Sequence, residues 1–129
     1  TEMKDQKINN LNILVVEDEE SNFLYLEEVL QQINANTILA KNGKEAIEFA
    51  SKMNNIDLIL MDIKLPLMDG YQATKIIKEK KINLPIIAQT AYALEEDIQK
   101  IKKRGFDDYI TKPVNQQKLF QIINKHLGK

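Results

Sequence analysis

The stretch Ile13 to Glu20, ILVVEDEE, sets a continuous apolar run directly against four acids, Glu17, Asp18, Glu19 and Glu20. A run that is apolar on both sides of the pleat fits a parallel strand covered on both faces. The acids then fall at its carboxyl end. The same juxtaposition recurs three times: Asp62 closes LILM, Thr90 follows PIIAQ, and Lys112 follows Tyr109-Ile110-Thr111. Parallel strands share one carboxyl edge, so residues far apart in sequence converge there. Three acids, a hydroxyl and an amine in one crevice point to a divalent metal and a phosphoryl group.

Between these runs the apolar residues recur at helical spacing. Phe23, Leu26, Leu30 and Ile33 predict a first helix, with Ser21 or Asn22 to cap its first turn. Asn36 to Ala40 predicts a second strand; Asn42-Gly43 then breaks the pattern, and Ala46, Ile47, Ala50 and Met53 mark a second helix. Asp57 to Asp62 is the third strand. In the loop IKLPLMDG, Pro66 and Gly70 force a turn before the helical pattern of Ala73, Ile76 and Ile77. Pro85 to Gln89 reads as strand four, and Ile98 and Ile101 lie on a charged helix that Gly105 terminates. Asp108 to Thr111 is strand five, followed by a helix lined by Leu119, Ile122, Ile123 and His126.

Short connections and right-handed crossovers leave few topologies for five strand-plus-helix units. The expected fold is α/β, a doubly wound five-stranded parallel sheet of order 2-1-3-4-5 with five helices. The strand order reverses between strands one and three, where a ligand crevice opens.

The chain has 129 residues, 43% hydrophobic and 29% charged, which suits one globular domain. That domain is expected over residues 11–129, with the polar segment Thr1 to Asn10 as tail or linker. A start at Thr1 suggests processing or excision from a longer protein. No apolar stretch approaches the ~18 residues of a membrane span. Without cysteine there is no disulfide framework, thiolate metal site or thiol nucleophile. The lack of cysteine and of a leader-like segment leads us to expect the cytoplasm. A net charge of −1 argues against nucleic acid as a direct partner.

Neighbouring strands lie about 4.8 Å apart, so Asp18 and Asp62 can reach one cation. Oxygen ligands at about 2.0–2.1 Å with retained waters suit Mg²⁺. Without a cation, carboxylates about 4 Å apart repel by roughly 4 kcal/mol at an intermediate dielectric, and at least one carboxyl pKa rises. Lys112 starts two strands from Asp62, roughly 10 Å away, a distance its long side chain largely covers. Thr90 offers a hydroxyl and Ala91 a backbone N–H. A carboxylate nucleophile, a metal and electrophilic donors are the parts needed for phosphoryl transfer to aspartate.

From Asn12 to about Leu127 these residues resemble the receiver domain of two-component response regulators. The resemblance rests on VVEDEE, MDIKLPLMDG, the Thr90-Ala91 pair and DDYITKP, in that order. It implies a flavodoxin-like fold, in which flavodoxin and a chemotaxis receiver share the order 2-1-3-4-5. It further implies that Asp62 accepts a phosphoryl group from a histidine kinase or histidine phosphotransfer protein and that a downstream output domain or protein responds. Mg²⁺ would be held by Asp18 and Asp62 directly, by Glu17 through water and by the Lys64 carbonyl. Lys112 would pair with the phosphoryl oxygens, Ala91 would donate to them, and Thr90 would turn inward toward one. Tyr109 matches the family's switch aromatic, and Lys112-Pro113 matches a bond usually cis in the family. Leu65 stands where the family often has Met, and Lys64 and Tyr92 occupy variable positions that tune phosphoryl lifetime. The chain reads either as a single-domain regulator or as an excised receiver. VEDEESNFLYLEEVL resembles receivers fused behind sensor histidine kinases, so an excised receiver would have a histidine kinase as parent, although the chain alone would be no turnover enzyme.

Each residue also has a plainer reading. EDEE alone equally suits a solvated loop before a helix N-terminus, and Asp62 alone suits a turn. A lone Thr90 is structural, a lone Lys112 a surface charge, and Tyr109 a half-buried strand aromatic. His126 reads as structural, and the basic runs Lys78 to Lys81 and Lys100 to Arg104 complement helix C-termini. Among other functions, an aspartate-nucleophile phosphatase would show D-x-D after strand one, where Asp18-Glu19-Glu20 stands. A flavin module would need a Ser/Thr/Gly-rich phosphate loop at that acidic position. Ile38 replaces the first glycine of a P-loop before Gly43-Lys44. A pseudo-receiver that only binds partners would not need the complete set.

Overall fold

The computed structural model describes residues 10–91 and 93–128. Five strands alternate with five helices: β1 (Asn12–Val16), α1 (Glu20–Gln31), β2 (Asn36–Ala40), α2 (Gly43–Lys52), β3 (Leu58–Asp62), α3 (Gly70–Lys80), β4 (Ile86–Thr90), α4 (Glu95–Lys103), β5 (Asp108–Thr111) and α5 (Gln116–Leu127). Every strand pair is parallel, and the order is β2-β1-β3-β4-β5, as the crossover argument predicts. Tyr92 and residues 1–9 of the expected tail lie outside the described residues. No helix among the described residues is long and apolar enough to cross a membrane.

Alternation along the strands builds two cores. Ile13, Val15, Leu58, Leu60, Ile87 and Ile110 pack with Leu26 and Leu30 of α1 and Leu119 and Ile123 of α5. Leu14, Val16, Ile59, Met61, Ile86 and Ala88 pack instead with Ala46 of α2, Ala73 and Ile77 of α3, and Ile101 of α4. Successive side chains point to opposite faces, so continuing the first series places Glu17, Asp62 and Gln89 on the α1/α5 side. Asp62 pairs in register with Gln89, and Val16 with Met61. A polar row therefore caps the apolar sheet at its carboxyl edge.

Helix starts explain the local geometry. Asn42, Asp69 and Asn115 cap α2, α3 and α5, each side chain accepting the N–H three residues on at 2.9 Å. The expected cap of α1 by Ser21 or Asn22 is not made. Helix α1 begins at Glu20, so both residues lie inside it, and Glu19 takes the cap position without a side-chain bond. Asn22 turns to the acidic cluster instead.

The strand limits shift slightly. Asp57 precedes β3, where its carboxylate accepts the Asn12 N–H at 2.8 Å. Pro85 precedes β4, and Thr90 closes it. In the loop after β3, the left-handed residue is Leu67 at φ +69°, not a glycine. Gly70 is needed for contact rather than for turning: a Cβ there would lie 2.4 Å from the Asp62 carbonyl oxygen. Gly105 ends α4 at φ +102°, the conformation expected of a glycine terminator.

Candidate functional site

Glu17 follows β1 and Asp62 ends β3, only 1% and 5% exposed, while Asp18 is exposed. One oxygen from each of the three carboxylates lies within 4.8 Å of the others. Opposite ligands of a Mg²⁺-like ion stand about 4.2 Å apart, so the donor set suits a hard divalent cation with little adjustment. Lys112 reaches across β4 from the end of β5. Its Nζ lies 2.7 Å from Asp62 Oδ2 and 3.5 Å from Glu17 Oε1. The Lys64 backbone N–H donates to Asp62 Oδ1 at 3.0 Å. Both Asp62 oxygens are thus held, and the carboxylate has a fixed orientation.

Asp18, Asp62, Lys64, Thr90, Ala91 and Lys112 line a cleft of about 460 Å³ at the sheet's carboxyl edge. Thr90 is 8% exposed, and its carbonyl accepts the Lys112 N–H at 2.9 Å, tying the ends of β4 and β5 together. Tyr109 lies apart from the cleft, half-buried against the core under α2, α3 and α4. The Lys112–Pro113 peptide is cis.

Residues 13–124 match the model of the response regulator receiver domain. The chain belongs to this family. The receiver is 38% identical to the hybrid signal transduction histidine kinase I of Dictyostelium discoideum, covering 91% of this chain but 7% of that protein. It is 34% identical to the polar-differentiation response regulator DivK of Brucella anthropi, covering 91% of this chain and 96% of DivK. Among solved structures, the receiver domain of a Pseudomonas aeruginosa sensor histidine kinase superposes with TM-score 0.85 at 34% identity, over 93% of this chain and 99% of that one. That structure has magnesium coordinated in its active-site cleft. The receiver domain of Saccharomyces cerevisiae Ssk1, co-crystallised with the histidine phosphotransfer protein Ypd1, superposes with TM-score 0.85 at 33% identity, over 93% and 90% of the two chains.

The electrostatics of this receiver follow from burial and pairing. Burial, reinforced by the Asp62 charge, raises the Glu17 carboxyl, although the Asn22 amide and Lys112 oppose the shift. Burial alone would lower the Lys112 ammonium; the hydrogen bond and charge of Asp62, with Glu17, outweigh it and raise the group. The crowding of like charges expected at this edge is therefore felt by Glu17.

Three contributors to the site escape sequence reading. Asn22 donates to Glu17 Oε1 at 2.5 Å from the first turn of α1. Gln89 lies buried beside Asp62 in register. Its signal is one amide in the run PIIAQ, but its meaning needs the register. At the rim, Tyr71 of α3 meets Phe106 edge-on at 5.7 Å and carries Lys100 Nζ and Arg104 Cζ each 4.8 Å from its ring centroid. The Lys100 to Arg104 run thus joins α4 to α3 and is more than a complement to the helix C-terminus.

Proposed function

We propose that Asp62 accepts a phosphoryl group from a partner phosphohistidine. The observation that carries this reading is the clamped Asp62 carboxylate, held by Lys112 at 2.7 Å and by the Lys64 N–H at 3.0 Å beside two further acids. An Asp62 oxygen attacks phosphorus, the donor P–N bond breaks, and its electron pair and a proton remain with the imidazole. Negative charge moves outward onto the phosphoryl oxygens, where Lys112 offsets it.

Asp18 and Asp62 would hold Mg²⁺ directly, with the Lys64 carbonyl completing the protein ligands. Glu17 would act through water, its oxygens also accepting from Asn22 and the Glu19 N–H. When bound, the cation neutralises charge on the transferring group. Thr90 and the Ala91 N–H bond the phosphoryl oxygens, and Tyr109 follows the movement of Thr90. This changes the surface that a downstream output domain or protein reads.

The partner is a histidine kinase or histidine phosphotransfer protein, a reading supported by the co-crystallised yeast relative. The chain, a domain over residues 11–129, acts as an acceptor and not as a turnover enzyme, and it works in the cytoplasm, where ATP charges such kinases. Kinase activity would belong to a longer parent of the kind seen in the Dictyostelium relative. The experiment is phosphoryl transfer from a labelled histidine phosphotransfer protein in the presence of Mg²⁺. Label that stays on the donor with every histidine donor tried, or that moves equally to Asp62→Asn, contradicts the reading.

A further inference from the structure

Strand β4 is buried at every position, and its fourth residue is an amide. Gln89 is 0% exposed, and neither Nε2 nor Oε1 has a hydrogen-bond partner among the described residues. Buried amides seldom stay unpaired in native proteins. Each orphaned group is a net cost to folding, so an apolar residue would serve β4 better if packing were the sole requirement. Gln89 also lines the cleft that holds Asp62.

Its place in the sheet indicates a use. Gln89 pairs with Asp62 on β3 and with Ile110 on β5. Lys112 follows Ile110 by two residues, and therefore rises from the same face. Because β4 lies between β3 and β5, the Lys112 side chain must pass over the end of β4 to reach Asp62 at 2.7 Å. Its ammonium ends at Asp62, the residue that stands level with Gln89 on the neighbouring strand. An ammonium has three donors, and Asp62 and Glu17 face two of them.

We propose that Gln89 is a positioning residue for Lys112, its Oε1 receiving the ammonium as Asp62 passes its charge to a phosphoryl group. This rests on the reading of Asp62 as acceptor. In the free carboxylate, Lys112 is held by Asp62. Once the phosphoryl oxygen bond forms, that oxygen is no longer an anion, and Lys112 turns toward the phosphoryl oxygens. Gln89 supplies a neutral acceptor in the cleft it shares with Lys112 and keeps the long side chain there. The unpaired amide of the unmodified state is then a cost recovered in the modified one.

The test compares wild type with Gln89→Met in Mg²⁺ and acetyl phosphate, following phosphorylation by intact mass and folding by calorimetry. Methionine keeps the length and removes the orphaned atoms. Its melting midpoint is expected at or above that of wild type, with phosphorylation slowed about tenfold, the scale of a lost hydrogen bond to a charge. A folded Gln89→Met protein phosphorylated at the wild-type rate overturns the inference and leaves the acceptor reading intact. A wild type that gains no phosphoryl group from any donor overturns the acceptor reading and the inference with it. A second measurement needs no variant and decides the case of a Met protein that loses stability and rate together. In isotope-labelled wild type, the Gln89 side-chain amide resonances are expected to shift when beryllofluoride, a phosphoryl mimic, is added with Mg²⁺. Unmoved resonances in a protein that binds the mimic overturn the inference.

Discussion

Lys112 Nζ sits 2.7 Å from Asp62 Oδ2, an ion pair made between the ends of two strands that are not neighbours in the sheet. The same ammonium lies 3.5 Å from buried Glu17, so one cation balances two carboxylates of the cluster. Lys112→Met therefore leaves both acids without their positive partner. Loss of a fully buried ion-pair partner costs ~3–5 kcal/mol; the Lys112 side chain is 24% exposed, which reduces the expected loss to about 2 kcal/mol. Urea denaturation without divalent metal measures it. Added Mg²⁺ is expected to stabilise the variant more than the wild type, because the cation replaces missing charge.

Asn22 holds Glu17 through a 2.5 Å bond. Asn22→Ala removes a donor to a buried charged acceptor, with an expected loss of about 1.5–3 kcal/mol at neutral pH. Burial raises the Glu17 carboxyl and Asn22 opposes that rise, so the variant's Glu17 should titrate still higher. A carboxyl-detected NMR titration of the metal-free protein reads the change.

Gly70 lets the loop after β3 lie against the acceptor strand. In Gly70→Ala the new Cβ would meet the Asp62 carbonyl oxygen at 2.4 Å and the Ile63 Cα at 2.9 Å, both backbone atoms. Relief requires the Asp62 backbone to move, at an expected cost of about 1–3 kcal/mol. Weaker Mg²⁺ binding should accompany the loss, measured by calorimetric titration. Unchanged stability and affinity together would show that the loop tolerates the displacement.

His126 acts at the opposite end of β5. Burial pushes the Asp108 carboxyl up, but His126 Nε2 at 3.0 Å, the Tyr109 N–H and Lys125 more than offset it, and the group is lowered. A carboxyl lowered on folding contributes stability that is present above its unfolded value, 3.8 for a free carboxyl of this kind. That stability is lost as pH falls through the still lower folded value. His126→Ala should cost about 1 kcal/mol at neutral pH and flatten the fall in stability below the unfolded value. Urea midpoints across the acidic range test the sign.

Strand order and the convergence of Glu17, Asp18, Asp62, Thr90 and Lys112 were legible because apolar runs mark strands and parallel strands share an edge. The polar row itself was only partly legible. Gln89 looks like an ordinary strand end until its register with Asp62 and Ile110 is known. Asn22 resembles a helix cap in sequence because Asn favours that position. Its actual partner, Glu17, becomes accessible once α1 starts at Glu20. Gly70 likewise suggests a turn, whereas its missing Cβ serves the contact with Asp62. These misreadings share a cause: local preference names what a residue can do, and tertiary contact selects among the options.

Incubation with Mg²⁺ and acetyl phosphate, followed by intact-mass and peptide mapping, addresses Asp62 most directly. Wild type is expected to gain one phosphoryl group, mapped to Asp62, and Asp62→Asn to gain none. A phosphoryl group carried elsewhere, or gained equally by Asp62→Asn, contradicts the assignment.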